Sequence, residues 1–153
     1  MERKIVFVEA LSVVAVAWRG RLAGHDIADA LRDIYADARW HDAYDTVWIY
    51  NELDMLDVSL EEVGEIYAIE VEQTSAASTG TDVAVVKREL DEMLAHFFIA
   101  MGARLEGVVR RKGMGRTLEE ELALIGGDGG RAAILRAAIA ATPWKPTVHR
   151  RAG

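Results

Sequence analysis

The acidic segment that follows one apolar run holds the residues whose types and spacing could do chemistry. The run Val47–Tyr50 is followed by Asp54 and Asp57, and then by Ser59 and Glu62 at the start of a helical pattern. Two nearby carboxylates could act as acid and base or hold a hard cation. A serine at a helix N-terminus could accept a phosphate. Because ligands usually bind at the carboxyl ends of strands in α/β sheets, this segment is the first candidate site.

A structural role for the same residues must be weighed against that chemistry. Ser59 and Glu62 match the capping box, in which the serine hydroxyl and the glutamate carboxylate each accept a backbone amide of the other. A phosphate on Ser59 would also meet the neighbouring acids. No partner His, Lys or third carboxylate follows in a recognisable spacing, so we interpret Asp54 and Asp57 as solvated loop acids that contact a partner. We therefore predict a binding or switch site at these four residues and no catalytic site, cofactor or metal.

Other patterns that could do chemistry are weaker. His25 and Asp29 are four residues apart, and His41 is close to Asp45, but no H-E-x-x-H or similar metal motif is present. Helix-end and turn roles are therefore predicted for these pairs. The glycine-rich segments 113–115 and 126–130 lack the phosphate-loop patterns, so turn and linker roles are predicted there.

Charge is distributed unevenly along the chain. The net charge of −7 divides into −12 for residues 1–103 and +5 for residues 104–153. An acidic body argues against nucleic-acid binding. The basic cluster in the second part is either a contact surface or a solvated strand edge that deters sheet-to-sheet pairing; it consists of Arg110, Arg111, Lys112 and Arg116.

Length and composition predict a cytoplasmic protein. A chain of 153 residues suits one main folding unit. The absence of cysteine excludes disulfides and thiolate chemistry and fits a reducing compartment. The longest apolar run, residues 10–18, is shorter than the roughly 20 residues that a membrane helix needs, and the first residues lead into strand pattern rather than a signal peptide. We therefore expect no membrane insertion.

Hydrophobic periodicity predicts an α/β fold. Two strands over 3–11 and 13–18, or one long bent strand with a turn near residues 10–12, are predicted, followed by a turn bracketed by Gly20 and Gly24. The remaining elements are a helix over 25–40, a strand over 47–50, a helix from Leu60 to about Thr74, a strand over 83–86, a helix over 90–101, a strand over 107–110, a helix from about Leu118 to Gly126, and a short helix over 132–141 ended by Pro143. The order ββαβαβαβα, plus a short C-terminal helix, predicts a mixed sheet of about four to five strands with helices packed on it. We divide the chain into a domain at 1–126 and a glycine joint, short helix and basic tail at 127–153.

This order resembles the STAS domain of bacterial anti-sigma-factor antagonists, and in particular the single-domain SpoIIAA-like proteins. The segments that carry the resemblance, within about residues 5–125, are VVAVAWRGRLAGHDI, VWIYNELDMLDVSLEEV, DVAVVK and EGVVRRKGMGRTLEEELALI. The family's antagonists have Asp-Ser-Ser-Gly or a close variant at the start of the second helix, where a partner kinase phosphorylates the first hydroxyl residue. The matching run here is Asp57-Val58-Ser59-Leu60, with valine at the phosphorylated position, so the resemblance implies a member without the usual switch.

Two functions follow from these observations. The first is a non-enzymatic regulatory domain that binds a protein partner through Asp54, Asp57, Ser59 and Glu62. The alternative is a protein that binds a small hydrophobic ligand or lipid in a SEC14-like pocket, because the 90–101 stripe is rich in Met and Phe. Trp40, Phe97 and Met101 are the candidate pocket residues, although the same spacing fits ordinary helix-on-sheet packing. A homodimer, formed through residues 132–141 or an edge strand, is an additional alternative.

Overall fold

A computed structural model of the chain describes residues 1–74, 78–86 and 111–147. Within these ranges the chain forms one six-stranded sheet with helices on both faces. The elements in chain order are β1 (Glu2–Val8), β2 (Val13–Ala23), α1 (Gly24–Ala36), β3 (Asp45–Asp57), α2 (Leu60–Gln73), β4 (Thr81–Val85), β5 (Arg111–Gly115), α3 (Leu118–Leu124), α4 (Gly129–Ala141) and β6 (Lys145–Pro146). None of the helices in these ranges combines the length and apolar character needed to cross a bilayer.

The first two strands form an antiparallel hairpin. Glu2 lies opposite Arg19, and the pairing continues to Val8 opposite Val13. A short 3₁₀ turn over Glu9–Leu11 connects the strands. Of the two arrangements predicted from the β-branched pattern, the structure has two separate strands rather than one long bent strand.

The second strand is longer than the sequence predicted. The predicted turn between Gly20 and Gly24 is wrong, because β2 continues to Ala23 and Gly24 is the first residue of α1. Gly20 has a φ of +90° and lies where the pairing with β3 changes register. A glycine with positive φ at a register shift is a β-bulge, which bends a strand without ending it.

The third strand also continues past its predicted end. The prediction that Asp54 and Asp57 lie in an acidic loop is wrong, because both are in β3, which pairs with β2 as far as Ala23 opposite Asp57. The two register shifts leave unmatched residues in β3, so its apolar residues lose their strict alternation. That loss, together with four acids, made a paired strand resemble a loop.

The sheet is mixed and has the order β5-β4-β3-β2-β1-β6. Strands β2 to β5 are parallel, and β1 is antiparallel to both β2 and β6. One face packs against α1 and α2, in a core that includes Val14, Trp18, Leu22, Ile34 and Ile66. The other packs against α3 and α4, in a core that includes Val13, Val47, Val83, Leu122 and Leu135. The predicted α/β class with a mixed sheet is confirmed, and β6 is an additional two-residue strand.

The fifth strand corrects another prediction. Gly113 and Gly115 were predicted to form a turn, but they belong to β5. A Cβ atom on Gly115 would lie 2.3 Å from Oε1 of Glu121, and one on Gly113 would lie 3.0 Å from Cδ1 of Leu124. The glycines therefore give α3 room to lie directly on the strand. The predicted strand over 107–110 falls outside the described residues.

The C-terminal helix packs on the sheet. It begins at Gly129, with Asp128 as its N-cap, so the predicted glycine joint over 126–130 is wrong for its last two residues. Ala132 and Leu135 are fully buried in the second core. The helix ends before Pro143, as predicted. The predicted helix over 90–101 lies outside the described residues.

Candidate functional site

The neighbouring strands β2 and β3 have their carboxyl ends side by side at one end of the sheet, and a helix follows each of them. Strand β2 ends at Ala23 and leads directly into α1, while β3 ends at Asp57 and α2 begins at Leu60. Because β2 and β3 are parallel and pair to their last residues, the N-termini of both helices lie at this end of the sheet. We call the acids after Leu53, together with the serine between them, the acidic corner: Asp54, Asp57, Ser59, Glu61 and Glu62.

Asp57 forms an ion pair with Arg21, which reaches it from the adjacent strand. Both side chains are mostly exposed, at 55% for Asp57 and 66% for Arg21. An exposed pair of this kind contributes little to stability, because water screens the attraction and ordering two long side chains costs entropy. Asp57 is therefore accessible to a competing cation, such as a basic residue of a partner.

Asp54 is the residue of β3 left unmatched by the second register shift, since Gly20 pairs with Leu53 and Arg21 with Met55. It is exposed, as is Asp57. In an extended strand, three positions separate two Cα atoms by about 10 Å. That separation does not favour the hypothesis that Asp54 and Asp57 act together on one proton or hold one cation.

Ser59 caps α2 as the sequence predicted. Its hydroxyl oxygen accepts the backbone N–H of Glu62 at 3.2 Å, and its own N–H donates to Oε2 of Glu62 at 2.8 Å. Both halves of the capping box are present, which satisfies two amide groups that the helix geometry leaves without a partner. The Ser59 hydroxyl thus has a structural role at the helix terminus.

Glu62 also connects the two helices. Its carboxylate accepts a backbone N–H from His25, in the first turn of α1, in addition to that of Ser59. The hydrogen bond from the Ser59 backbone is the main cause that lowers the pKa of Glu62, and the bond from His25 acts in the same direction. One carboxylate therefore stabilises the N-termini of two helices, where backbone amides favour negative charge.

Gly24 makes this bridge sterically feasible. A Cβ atom at this position would lie 2.3 Å from Cβ and 2.6 Å from Cδ of Glu62. The His25 imidazole lies close by, with Nδ1 3.8 Å from Oε1 of Glu62. Sequence reasoning missed the roles of Gly24 and His25, because their partner is about 40 positions away along the chain and no local pattern indicates it.

Two apolar side chains are exposed beside the acids. Met55 is 49% exposed near the end of β3, and Leu60 is 67% exposed at the first position of α2. Single exposed apolar residues are common on protein surfaces. Here two of them lie within the segment that carries the acidic corner, which gives the surface both charged and apolar contacts.

The other candidate site residues lie elsewhere. Trp40 is in the connection before β3, at the opposite end of that strand, where its ring contacts Tyr35 with centroids 5.1 Å apart and Tyr44 at 6.1 Å. Trp40 therefore belongs to an aromatic cluster remote from Asp57. The other two predicted pocket residues, Phe97 and Met101, fall outside the described residues. Across the described ranges, no group of three or more His, Asp and Glu side chains is placed to hold a metal ion.

Comparison with known proteins identifies the fold. The chain is similar to the structure of the anti-sigma factor antagonist SpoIIAA in its unphosphorylated form, with a TM-score of 0.51 and 16% identity, over 82% of this chain and 98% of that one. It is also similar to an uncharacterised protein of the DUF3478 family with a SpoIIAA-like fold from Shewanella loihica PV-4, with a TM-score of 0.49 and 13% identity, over 81% and 94% of the two chains. No family model matches the sequence. No curated protein matches it either. The SpoIIAA-like fold expected from the order of elements is confirmed.

Proposed function

We propose that this chain, which has the SpoIIAA-like fold, is a non-enzymatic regulatory domain that binds a protein partner through the acidic corner. The observation that carries the proposal is the combination of exposed acids with two exposed apolar side chains at the carboxyl end of β3 and the start of α2. Asp57 and Leu60 are both more than half exposed. A surface of this kind fits a partner segment that carries basic residues next to apolar ones.

The interior of the corner supports this proposal. Glu62 holds the N-termini of α1 and α2 together, and the sheet pairing continues to Asp57. The exposed side chains therefore project from a rigid frame, so less conformational entropy is lost when a partner binds. The solved relative is named an anti-sigma factor antagonist, which is a role carried out by binding another protein.

The proposed binding differs from the phosphorylation switch of the antagonists that the sequence resembles. The sequence resemblance places Val58 at the phosphorylated position, and the Ser59 hydroxyl already accepts an amide at its helix terminus. Charge at this corner is therefore supplied by the carboxylates of the chain itself. We expect partner binding that does not depend on phosphorylation at this site.

Affinity capture from a native lysate of the source organism tests the proposal. The wild-type chain is compared with Asp57→Lys and with Glu72→Lys, which makes the same charge change at an exposed position near the other end of α2. A partner that wild type and Glu72→Lys recover, but Asp57→Lys does not, supports the proposal. Equal recovery by all three chains would show that the acidic corner is not the binding surface.

A further inference from the structure

A cleft of about 370 Å³ lies at the edge of the sheet, where the chain after α4 crosses back onto β1. Its size is within the range of small-molecule sites. The residues that line it include Arg3, Lys4, Asp33, Thr142, Pro143 and Lys145. Arg3 and Lys145 therefore lie beside one carboxylate, that of Asp33, in a chain whose net charge is −7.

Arg3 and Lys145 lie directly opposite each other in the antiparallel pairing of β1 and β6. Like charges at opposed positions on neighbouring strands destabilise a sheet. The Asp33 carboxylate pairs with Arg3 and offsets part of this repulsion. Lys145 is exposed and has no acidic partner among the described residues. One positive charge of the opposed pair is therefore left without a compensating anion.

The Arg3 guanidinium indicates the same missing group. Its Nη2 donates to Asp33, while its Nη1 is buried and has no acceptor in the described part of the chain. A buried donor without an acceptor costs free energy, and more so when it is charged. The atom has no exposed surface in this conformation, so an anion in the cleft would supply that acceptor only after the guanidinium turns toward it.

The walls of the cleft are held firmly. Lys4 donates from Nζ to the carbonyl oxygen of Ile139, near the end of α4, at 2.9 Å. Its Nζ also lies 4.6 Å from the centre of the Trp144 ring, and the Arg19 guanidinium lies 4.8 Å from the same ring. Thr147 bonds to the Met1 carbonyl oxygen through its backbone N–H, at 3.2 Å. These contacts fix the segment that carries Lys145.

We propose that this cleft binds the phosphate group of a small phosphorylated molecule, between Arg3 and Lys145. Asp33 already pairs with one side of the Arg3 guanidinium, so the two-point fork that suits carboxylates and phosphates alike is not available. A phosphate group carries more negative charge than a carboxylate and has three acceptor oxygen atoms, so it can compensate both Arg3 and Lys145. The proposal is independent of the acidic corner, which lies at the end of a different pair of strands.

Titration with inorganic phosphate at constant ionic strength, followed by amide NMR shifts, tests the proposal. We expect saturable shifts at Thr142 and Lys145, and no saturable shifts there with acetate. Lys145→Gln should weaken phosphate binding about tenfold or more, the size expected for one charged hydrogen bond. Arg136→Gln, an exposed change on α4, should leave the binding unchanged.

Thermal unfolding supplies a second readout with a definite sign. Without phosphate, Lys145→Gln should raise the melting temperature, because it relieves the repulsion from Arg3. Phosphate should raise the melting temperature of the wild type by more than it raises that of Lys145→Gln. Shifts that grow linearly with phosphate, equal binding by Lys145→Gln, or equal saturation with acetate would each overturn the proposal.

Discussion

Gly24 lies so close to Glu62 that a Cβ atom on the glycine would come within 2.3 Å of the glutamate Cβ. These two residues lie in the first turns of neighbouring helices that follow neighbouring strands. Their contact allows one carboxylate to accept amides from both helix termini. The packing of the acidic corner therefore depends on a glycine whose helical neighbours gave no indication of its importance.

We predict that Gly24→Ala destabilises the chain by about 1–3 kcal/mol, the usual cost of forcing extra atoms into a packed site. Gly64→Ala is the matched control, since it lies in α2 with no atom within 4 Å of the added Cβ. That change should stabilise the chain by about 1 kcal/mol through helix propensity. Urea unfolding of both variants measures the difference, and equal effects would contradict the close contact.

Glu62→Gln should lower the free energy of unfolding by about 1 kcal/mol at pH 7, because a charged acceptor of two backbone amides is replaced by a neutral one. The pKa of Glu62 is lowered in the folded state. Its contribution is therefore present above the ordinary value of 4.5 and is lost as the pH falls through the lowered pKa. The difference between wild type and variant should shrink on acidification.

Urea unfolding between pH 7 and pH 3 measures this effect. Glu61→Gln, at the exposed neighbouring position, should show a much smaller difference. A gap between wild type and Glu62→Gln that is independent of pH would show that the carboxylate charge is not what stabilises the helix termini.

The buried Glu121 carboxyl should give the free energy of unfolding the opposite dependence on pH. It is fully buried, and neither carboxylate oxygen has a hydrogen-bond partner among the described residues. Burial, with a smaller contribution from Glu120, raises the pKa of Glu121 to about 8. The protonated form therefore fits the fold, and stability is lost as the pH rises from about 4.5 toward 8. The slope is at most about 1.4 kcal/mol per pH unit.

Glu121→Gln should remove this slope and make the chain more stable than the wild type at pH 8. Glu72→Gln, at an exposed position, should retain the wild-type slope. Thermal unfolding across pH 5 to 8 measures both variants. If Glu121→Gln kept the full slope, another group would have to account for it.

The local signals in the sequence predicted most of the framework. The Ser59 and Glu62 spacing located the start of α2, and β-branched residues located the first hairpin. These features depend on neighbours in sequence, so periodicity and capping rules detect them.

Features that depend on distant contacts could not be predicted in the same way. The end of β3 appears polar and irregular along the chain, yet the length of β2 and two register shifts keep it paired to Asp57. The sequence around Gly115 is typical of a turn, because the close contact with α3 that requires a glycine there involves residues outside the local pattern. The link between Glu62 and His25 joins residues far apart in sequence. In each case tertiary contacts outweigh local preference.

The affinity of the recovered partner for purified variants tests the central claim most directly. Binding is measured for the wild type, Asp57→Lys, Leu60→Ser and the control Glu72→Lys, after unfolding experiments have shown similar stability. The acidic corner account predicts weaker binding by Asp57→Lys, and by Leu60→Ser to a lesser extent, with Glu72→Lys equal to the wild type. Salt should weaken wild-type binding, because charge contributes to the contact. Equal affinities for all four chains would contradict the account.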